Sequence, residues 1–143
     1  MSRNLPAQTT RIPKLQEEGI QLGLVAAGAI PGALLRWHLE QAGEQLIGGL
    51  RGLVGADFLA NMIGCLLIGM LVAQPPRRAR LYLWAAIGFC GSLTTFSSWM
   101  LELARALDGG QPGKALGVLV LSLLGGLVLG ALGYGLARRF RRE

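Results

Sequence analysis

Four long stretches of this chain, residues 20–39, 53–73, 81–104 and 115–137, are almost free of charged side chains. Each is close to the roughly 20 residues that an α-helix needs to cross about 30 Å of hydrocarbon. Of the 143 residues, 52% are hydrophobic and 15% are charged, and the mean hydropathy is +0.46, which is more apolar than a soluble core requires. The pattern predicts an all-α integral membrane protein with four transmembrane helices.

The segments outside these stretches are too short to form a separate soluble domain. Residues 1–19 mix prolines with charges of both signs and lack the apolar run of a cleavable signal peptide, so we expect a flexible or interfacial polar arm. Residues 138–143 form a basic tail. The expected organisation is therefore an arm, one transmembrane domain over residues 20–137, and a tail.

The basic residues are distributed unevenly between the two sides of such a bundle. With four helices, ten of the fourteen Lys and Arg residues fall on the side of the termini: Arg3, Arg11, Lys14, Arg77, Arg78, Arg80, Arg138, Arg139, Arg141 and Arg142. The other side holds Arg36, Arg51, Arg105 and Lys114. Because positive loops stay in the cytoplasm, this bias predicts a multi-pass protein of the cell (inner) membrane with both termini cytoplasmic. Anionic lipid headgroups account for the basic composition, and no nucleic-acid partner is expected.

The third apolar stretch contains an unusual run of small and hydroxyl residues, "GFCGSLTTFSSW" at positions 88–99. An interrupted helix in lipid leaves backbone N–H and C=O groups unpaired, and such backbone survives only where it faces protein, water or an ion. The run predicts that the third helix is broken at the membrane midplane and that the break is turned inward. The alternative is a continuous helix whose Ser and Thr hydroxyls bond to carbonyls one turn earlier.

Two polar residues lie in the second stretch, within "ADFLANMIG". Asn61 is deep in the apolar sequence, where a polar side chain marks a functional path or a hydrogen bond that joins two helices. Asp57 is one turn away on the same face and is expected to reach the interface or to pair with Arg36.

Three motifs carry a resemblance to a known family. "GFCGSLTTFSSWMLE" resembles the third-helix signature of the small four-helix fluoride channels, the Fluc or CrcB family. "GAIPGALLRW" and "LANMIGCLLIG" resemble the first- and second-helix motifs of that family, in the same order. The resemblance extends over about residues 23 to 137.

The resemblance implies an antiparallel, dual-topology dimer that exports cytoplasmic fluoride by passive permeation through two pores and so reduces fluoride toxicity. By position, the backbone carbonyls of Gly91 and Thr94 would hold a structural sodium ion at the dimer centre. Along the fluoride path the matching residues are Asn61, Thr95, Phe96 and Ser122, and Arg36 matches the vestibule arginine. Fluoride holds its water tightly, so amide, hydroxyl and ring-edge donors are suitable replacements for that water.

The chain also departs from the family pattern. Trp99 stands where a second pore phenylalanine is usual, and its indole N–H is expected to serve as a substitute donor. Asp57 places an acid near the pore mouth, and Ser92 replaces the second glycine of a pair. Val118 and Gly126 replace polar residues of the fourth helix.

The charge bias suggests how the subunits pair. A homodimer that inserts in both orientations should have balanced charge, so we expect one half of an antiparallel heterodimer, with a homologue as partner and one pore degenerate or non-conducting. A homodimer remains the alternative.

Other functions lack the residues that they need. A small multidrug-type transporter would need a carboxylate in the first stretch, and residues 20–39 contain none. An enzyme is not expected, because we find no nucleophile with a base, no metal-ligand cluster and no phosphate-binding loop.

Overall fold

The computed structural model describes residues 14–46, 56–75 and 78–141, and every regular element in these ranges is helical. The first helix, α1, covers Lys14–Leu46, and α2 covers Ala56–Val72. The third apolar stretch begins with α3 (Ala79–Leu81), a π-helix (Tyr82–Cys90) and α4 (Gly91–Leu93), which follow one another directly and are called here the first half. Its second half is α5, Ser97–Asp108, and α6 covers Pro112–Phe140.

Two of these helices have the length and apolar composition needed to cross a membrane, over Lys14–Ala42 and Pro112–Phe140. The shorter Asp57–Val72 is also apolar. Helix α1 begins at Lys14, so residues 14–19 of the expected polar arm are helical, because Leu, Gln and Glu in this segment favour a helix. Residues 1–13 of the arm, residues 53–55 at the start of the second stretch, and Arg51, Arg77 and Arg142 lie outside the described residues.

Close packing between α2 and α6 depends on glycines. A Cβ on Gly133 would overlap the Leu66 carbonyl, and a Cβ on Gly69 would overlap the carbonyl of Gly130. Glycine at these positions lets the two backbones approach closely, as is common between membrane helices. These two helices form the most extensive contact in the described fold.

The segment Tyr82–Cys90 is a π-helix, since the Gly91 N–H donates to the Ala86 carbonyl, five residues earlier. Helix α1 packs against this π-helix through glycines, as α2 packs against α6. The carbonyls of Trp84 and Phe89 lie where a Cβ on Gly28 or Gly32 would have to be. The glycine spacing of the first helix therefore serves a contact within one chain.

The helix of the third apolar stretch is interrupted, but over fewer residues than the composition of positions 88–99 suggests. Gly88 and Gly91 remain helical, and the chain leaves the helix at Thr94, whose backbone is extended (φ −82°, ψ 152°). It becomes helical again at Ser97. The prediction of a break is confirmed for residues 94–96, and the alternative of a continuous helix is wrong.

Candidate functional site

Both polar atoms of the Asn61 side-chain amide are hydrogen-bonded to Thr95, in the break at residues 94–96. Its Nδ2 donates to the Thr95 carbonyl at 3.0 Å, and its Oδ1 accepts from the Thr95 N–H at 2.8 Å. A primary amide offers one donor and one acceptor in a plane, which matches the two polar groups of a single residue in the broken segment. The buried polar backbone at Thr95 is thus satisfied by a side chain of α2, so Asn61 joins α2 to the broken segment.

The break redirects two N–H groups away from their helical acceptors. In an unbroken helix the Thr95 N–H would donate to the Gly91 carbonyl, and the Ser98 N–H would donate to the Thr94 carbonyl. Here the first donates to Asn61 Oδ1, and the second approaches Thr95 Oγ1 at 3.4 Å. The Gly91 and Thr94 carbonyls therefore lose the helical donors that would otherwise occupy them.

The hydroxyls around the break form a small polar cluster. Thr95 is buried, and its Oγ1 lies 3.2 Å from Ser98 Oγ and 3.4 Å from Ser97 Oγ, at the start of α5. On the other side of the break, Thr94 Oγ1 and the Thr94 N–H both donate to the Cys90 carbonyl at 3.0 Å. Thr94 thus caps the end of the first half, and Thr95 caps the start of α5.

Ser92, which departs from the family's glycine pair, connects the first half to α1. Its Oγ lies 2.9 Å from the carbonyls of Ala29 and Gly88 and 3.1 Å from that of Phe89. A hydroxyl has one proton, so it donates to these carbonyls in turn. The serine therefore adds a hydrogen bond between helices beside Gly32.

Trp99 and Ser122 are joined directly. The Trp99 indole N–H donates to Ser122 Oγ at 3.1 Å, which ties α5 to α6. Trp99 also contacts Phe96, with ring centroids 5.6 Å apart and planes inclined by 54°. Phe96 itself is 70% exposed. The indole N–H is thus already used by Ser122, while the hydroxyl proton of Ser122 is left to donate elsewhere.

The two residues that the sequence analysis places at the pore mouth, Arg36 and Asp57, are not brought together. Arg36 Nε lies 3.4 Å from Glu40 Oε1, one turn along α1, so the expected pair of Arg36 with Asp57 is replaced by a pair within the helix. Asp57 lies in the first turn of α2, where the N–H groups and the helix dipole favour a carboxylate. Its Oδ1 is buried without a hydrogen-bond partner among the described residues. Among the described residues no ion pair accounts for this acid, whereas its position in the first turn of α2 favours a carboxylate.

Two residues of the site were missed by the sequence analysis. Gly64, one turn after Asn61, leaves room for the Thr94 methyl group, since a Cβ there would overlap it. Its spacing from Asn61 is the signal that could have found it. Glu40, the partner of Arg36, was also missed, although the spacing of four residues favours such pairs.

The two departures from the family pattern at residues 118 and 126 are packing positions in α6. Val118 is buried, and a Cβ on Gly126 would lie 3.2 Å from Cys65 Sγ. Neither position therefore contributes a hydroxyl to the site.

The polar atoms of the site suit an ion held by backbone and hydroxyl groups. Within the described ranges, no three or more His, Cys, Asp or Glu side chains come together in a way that could hold a metal ion. The carbonyls of Gly91 and Thr94 present oxygen atoms, the type of ligand that hard cations prefer. The hydroxyls and ring edges are donors of the kind that an anion needs.

Comparisons with known proteins agree with this architecture. A profile described as CrcB-like protein, Camphor Resistance (CrcB), matches residues 23–134. A protein named Fluoride-specific ion channel FluC 2 from Parasynechococcus marenigrum is 45% identical over 130 residues, which cover 89% of this chain and 88% of the relative. A Synechococcus sp. protein of the same name is 46% identical over 90% of this chain and 89% of its own length. A Prochlorococcus marinus protein named Fluoride-specific ion channel FluC 1 is 32% identical over 82% of both chains.

The agreement extends over nearly the whole helical region, including the break and both halves of the third segment. With a family profile over most of its length and relatives at this level of identity, the chain belongs to the CrcB family of integral membrane proteins.

Proposed function

We propose that this protein is a fluoride-selective channel that lets fluoride leave the cytoplasm passively and so reduces fluoride toxicity. Its relatives are named as fluoride-specific ion channels, which is a non-enzymatic function. The observation that carries the proposal is the break at residues 94–96, fixed by the double hydrogen bond of Asn61 to Thr95. A chain maintains such a costly interruption in a membrane segment where it forms a binding site or a path.

The residues of the break supply donors without a fixed cation. Fluoride must exchange its water for hydrogen-bond donors, and a strong positive charge would hold the ion too tightly for permeation. Thr95 and Ser122 provide hydroxyls, and the exposed Phe96 provides a ring edge with partial positive charge. We assign Asn61 to the wall of the path, where its amide holds the break open, and Arg36 and Asp57 to the vestibule.

Trp99 acts in this path through Ser122. A hydroxyl that accepts a hydrogen bond becomes a stronger donor, because successive hydrogen bonds polarise one another. The indole N–H donates to Ser122 Oγ. In this proposal Trp99 therefore orients and polarises the Ser122 hydroxyl toward fluoride and does not itself coordinate the ion.

The active form we propose is an antiparallel dimer of four-span subunits. The 12 residues of α5 extend about 18 Å, less than the hydrocarbon thickness, so the second half crosses the membrane only together with the first. Gly91 and Phe96 are exposed on either side of the break, where contact with lipid would leave polar backbone unsatisfied. A second subunit would cover this surface.

A structural sodium ion fits the centre of that dimer. The carbonyls of Gly91 and Thr94 have lost their helical donors, and a pair of such carbonyls from each subunit would give four oxygen ligands. The ion would supply a buried positive charge and satisfy the broken backbone. Exchange of sodium for N-methylglucamine should abolish transport reversibly, and transport that is unchanged after exhaustive exchange would exclude a required sodium ion.

The partner subunit we favour is a related chain. Ten of the fourteen basic residues lie on one side of a four-span topology, which fixes one orientation in the cell membrane with cytoplasmic termini. The relatives carry the names FluC 2 and FluC 1, as expected where two such chains occur together. In a heterodimer of this kind one of the two pores would conduct poorly or not at all, and a homodimer is the second candidate.

The test is anion efflux from liposomes that contain the purified chain. Fluoride efflux, without chloride efflux and reduced in Asn61→Ala, is the expected result for this chain alone or with a co-reconstituted homologue. Activity of the chain alone identifies a homodimer, and activity only with the homologue identifies the paired form. Equal chloride and fluoride efflux, or none in either preparation, would refute the proposal.

A further inference from the structure

The ends of α2 and α6 that lie on the arginine-rich side form a polar cavity which the channel function does not use. Its volume is about 390 Å³, and it is lined by Ala73, Tyr134, Arg138 and Arg141. Two of these four residues are arginines and none is a carboxylate. The cavity therefore presents two positive charges that its own lining does not neutralise.

Both guanidinium groups are held in place by the fold. Arg141 Nη1 donates to the Ala73 carbonyl at 2.6 Å, just past the end of α2. Helix α2 has no basic residue in its own last turn, so Arg141 supplies the cation that the negative end of the helix dipole favours. The Arg138 guanidinium lies over the ring of Tyr134, 5.6 Å from the centroid, in a cation–π contact.

These contacts leave most of the donors available. A guanidinium has five N–H groups, of which Arg141 uses one at Ala73, while Arg138 uses the face of its plane and not the edge. Tyr134, which also lines the cavity, carries a hydroxyl that can donate as well. Two oriented guanidinium edges beside a hydroxyl are suited to the bidentate recognition of a phosphate oxyanion.

The surroundings identify the source of the phosphate. The cavity lies at the ends of membrane helices, at the level of lipid headgroups, and Leu127, seven residues before Tyr134 and so on the same face of α6, is exposed. Val72 at the end of α2 is exposed as well. Acyl chains can therefore lie against Val72 and Leu127, on the same side of the helices as the arginines. Basic pockets between membrane helices are known to recognise anionic headgroups.

We propose that this cavity binds the phosphate of an anionic phospholipid, held by Arg138 and Arg141, with its acyl chains along the exposed face of α6. The lipid would join the ends of α2 and α6 from outside, in addition to the direct contact of Arg141 with Ala73. The proposal does not depend on fluoride transport, because none of the four lining residues belongs to the proposed fluoride path.

The test measures how strongly the full chain retains phosphatidylglycerol in nanodiscs of phosphatidylcholine with increasing phosphatidylglycerol content, read by native mass spectrometry. Arg138→Gln and Arg141→Gln should each weaken retention by about tenfold, because a charge-assisted bidentate contact is lost. Arg139→Gln is the matched control: it makes the same charge change on the neighbouring residue, which does not line the cavity, and should change retention by less than about twofold.

Two further arms keep the result decisive. Arg141→Lys keeps a donor for Ala73 but not the planar fork, so this variant should fold with normal stability and still retain less lipid. Inorganic phosphate at millimolar concentration should not displace the lipid. Equal weakening by Arg139→Gln would indicate diffuse charge attraction, and displacement by free phosphate would indicate a simple anion site; either result would overturn the proposal.

Discussion

Asn61 shows why one side chain decides the local backbone of the third segment. Its amide replaces two hydrogen bonds that a helix would otherwise make at Thr95, at 2.8 and 3.0 Å. The sequence shows a polar residue in an apolar helix, and such a residue needs partners. It cannot identify Thr95 as the partner, because 34 residues separate the two.

The first prediction concerns that double hydrogen bond. In Asn61→Ala the Thr95 N–H loses its acceptor, and its hydrogen exchange should accelerate by about tenfold or more. A buried donor left unpaired destabilises the closed state of the segment by roughly 1–3 kcal/mol. The Thr94 N–H, which donates to the Cys90 carbonyl, is the internal control and should keep its rate. Equal acceleration at both amides would mean that the whole segment has loosened.

The second prediction tests how Trp99 acts. If the indole works only through Ser122, then Trp99→Phe and Ser122→Ala should each lower fluoride efflux by roughly fivefold, the equivalent of about 1 kcal/mol, and the double variant should be no slower than either.

Additive losses in that cycle would instead mean that the indole and the hydroxyl contact fluoride separately. Trp37→Phe, at an exposed position of α1, is the control for loss of an indole and should retain full efflux. Chloride efflux, measured in parallel, distinguishes a loss of rate from a loss of selectivity.

At the scale of the elements, glycine contacts decide which helices pack together. The spacing of Gly126 and Gly130 is visible in the sequence, but the tightest contacts of α6 involve Gly133 against Leu66 and the Gly130 carbonyl against Gly69. At Gly135 of the same helix, no neighbouring atom lies within 4 Å of the position that a Cβ would occupy. Sequence spacing predicts a small-residue face, and only the partner helix determines which glycines it needs.

The third prediction compares two glycines of α6. Gly133→Ala should lower the free energy of unfolding by roughly 1–3 kcal/mol, because the new methyl group would overlap the Leu66 carbonyl and separate α2 from α6. Gly135→Ala, two residues away in open space, should be neutral or slightly stabilising, because alanine favours a helix. Both values are measurable by denaturant titration in micelles, and a similar loss for both variants would contradict the packing argument.

The third segment shows a further limit of sequence-based prediction at this scale. Low helix propensity at positions 88–99 predicts an interruption, and the structure has one at residues 94–96. The glycines at 88 and 91 stay helical, and Gly88 packs directly against the Val25 carbonyl of α1. Propensity marks where a helix is weak, and tertiary contacts determine where it breaks.

For the whole molecule, the uneven distribution of basic residues along the sequence is the feature that most directly predicts topology. The fourth prediction is that a reporter at the C-terminus is found on the cytoplasmic side in nearly all molecules, because the ten-to-four bias fixes one orientation. Topology-dependent reporter activity in intact cells measures it. Equal populations on both faces would support a homodimer and exclude an oriented subunit.

A charge-reduced variant provides the control for that measurement. Replacement of Arg138, Arg139 and Arg141 by Gln reduces the bias and should move part of the population to the opposite orientation. An unchanged distribution would mean that residues other than these arginines set the topology.

The sequence by itself determined the membrane class, the order of the apolar segments, the presence of a break in the third and the family. These properties follow from local composition and short motifs, because apolar length and helix propensity act over neighbouring residues. Tertiary structure alone decided that Asn61 binds Thr95, that the indole of Trp99 is engaged by Ser122, and that Arg36 pairs with Glu40 and not with Asp57. Such choices depend on which polar groups the packed helices bring within hydrogen-bond distance, and that distance is a property of the fold and not of sequence spacing.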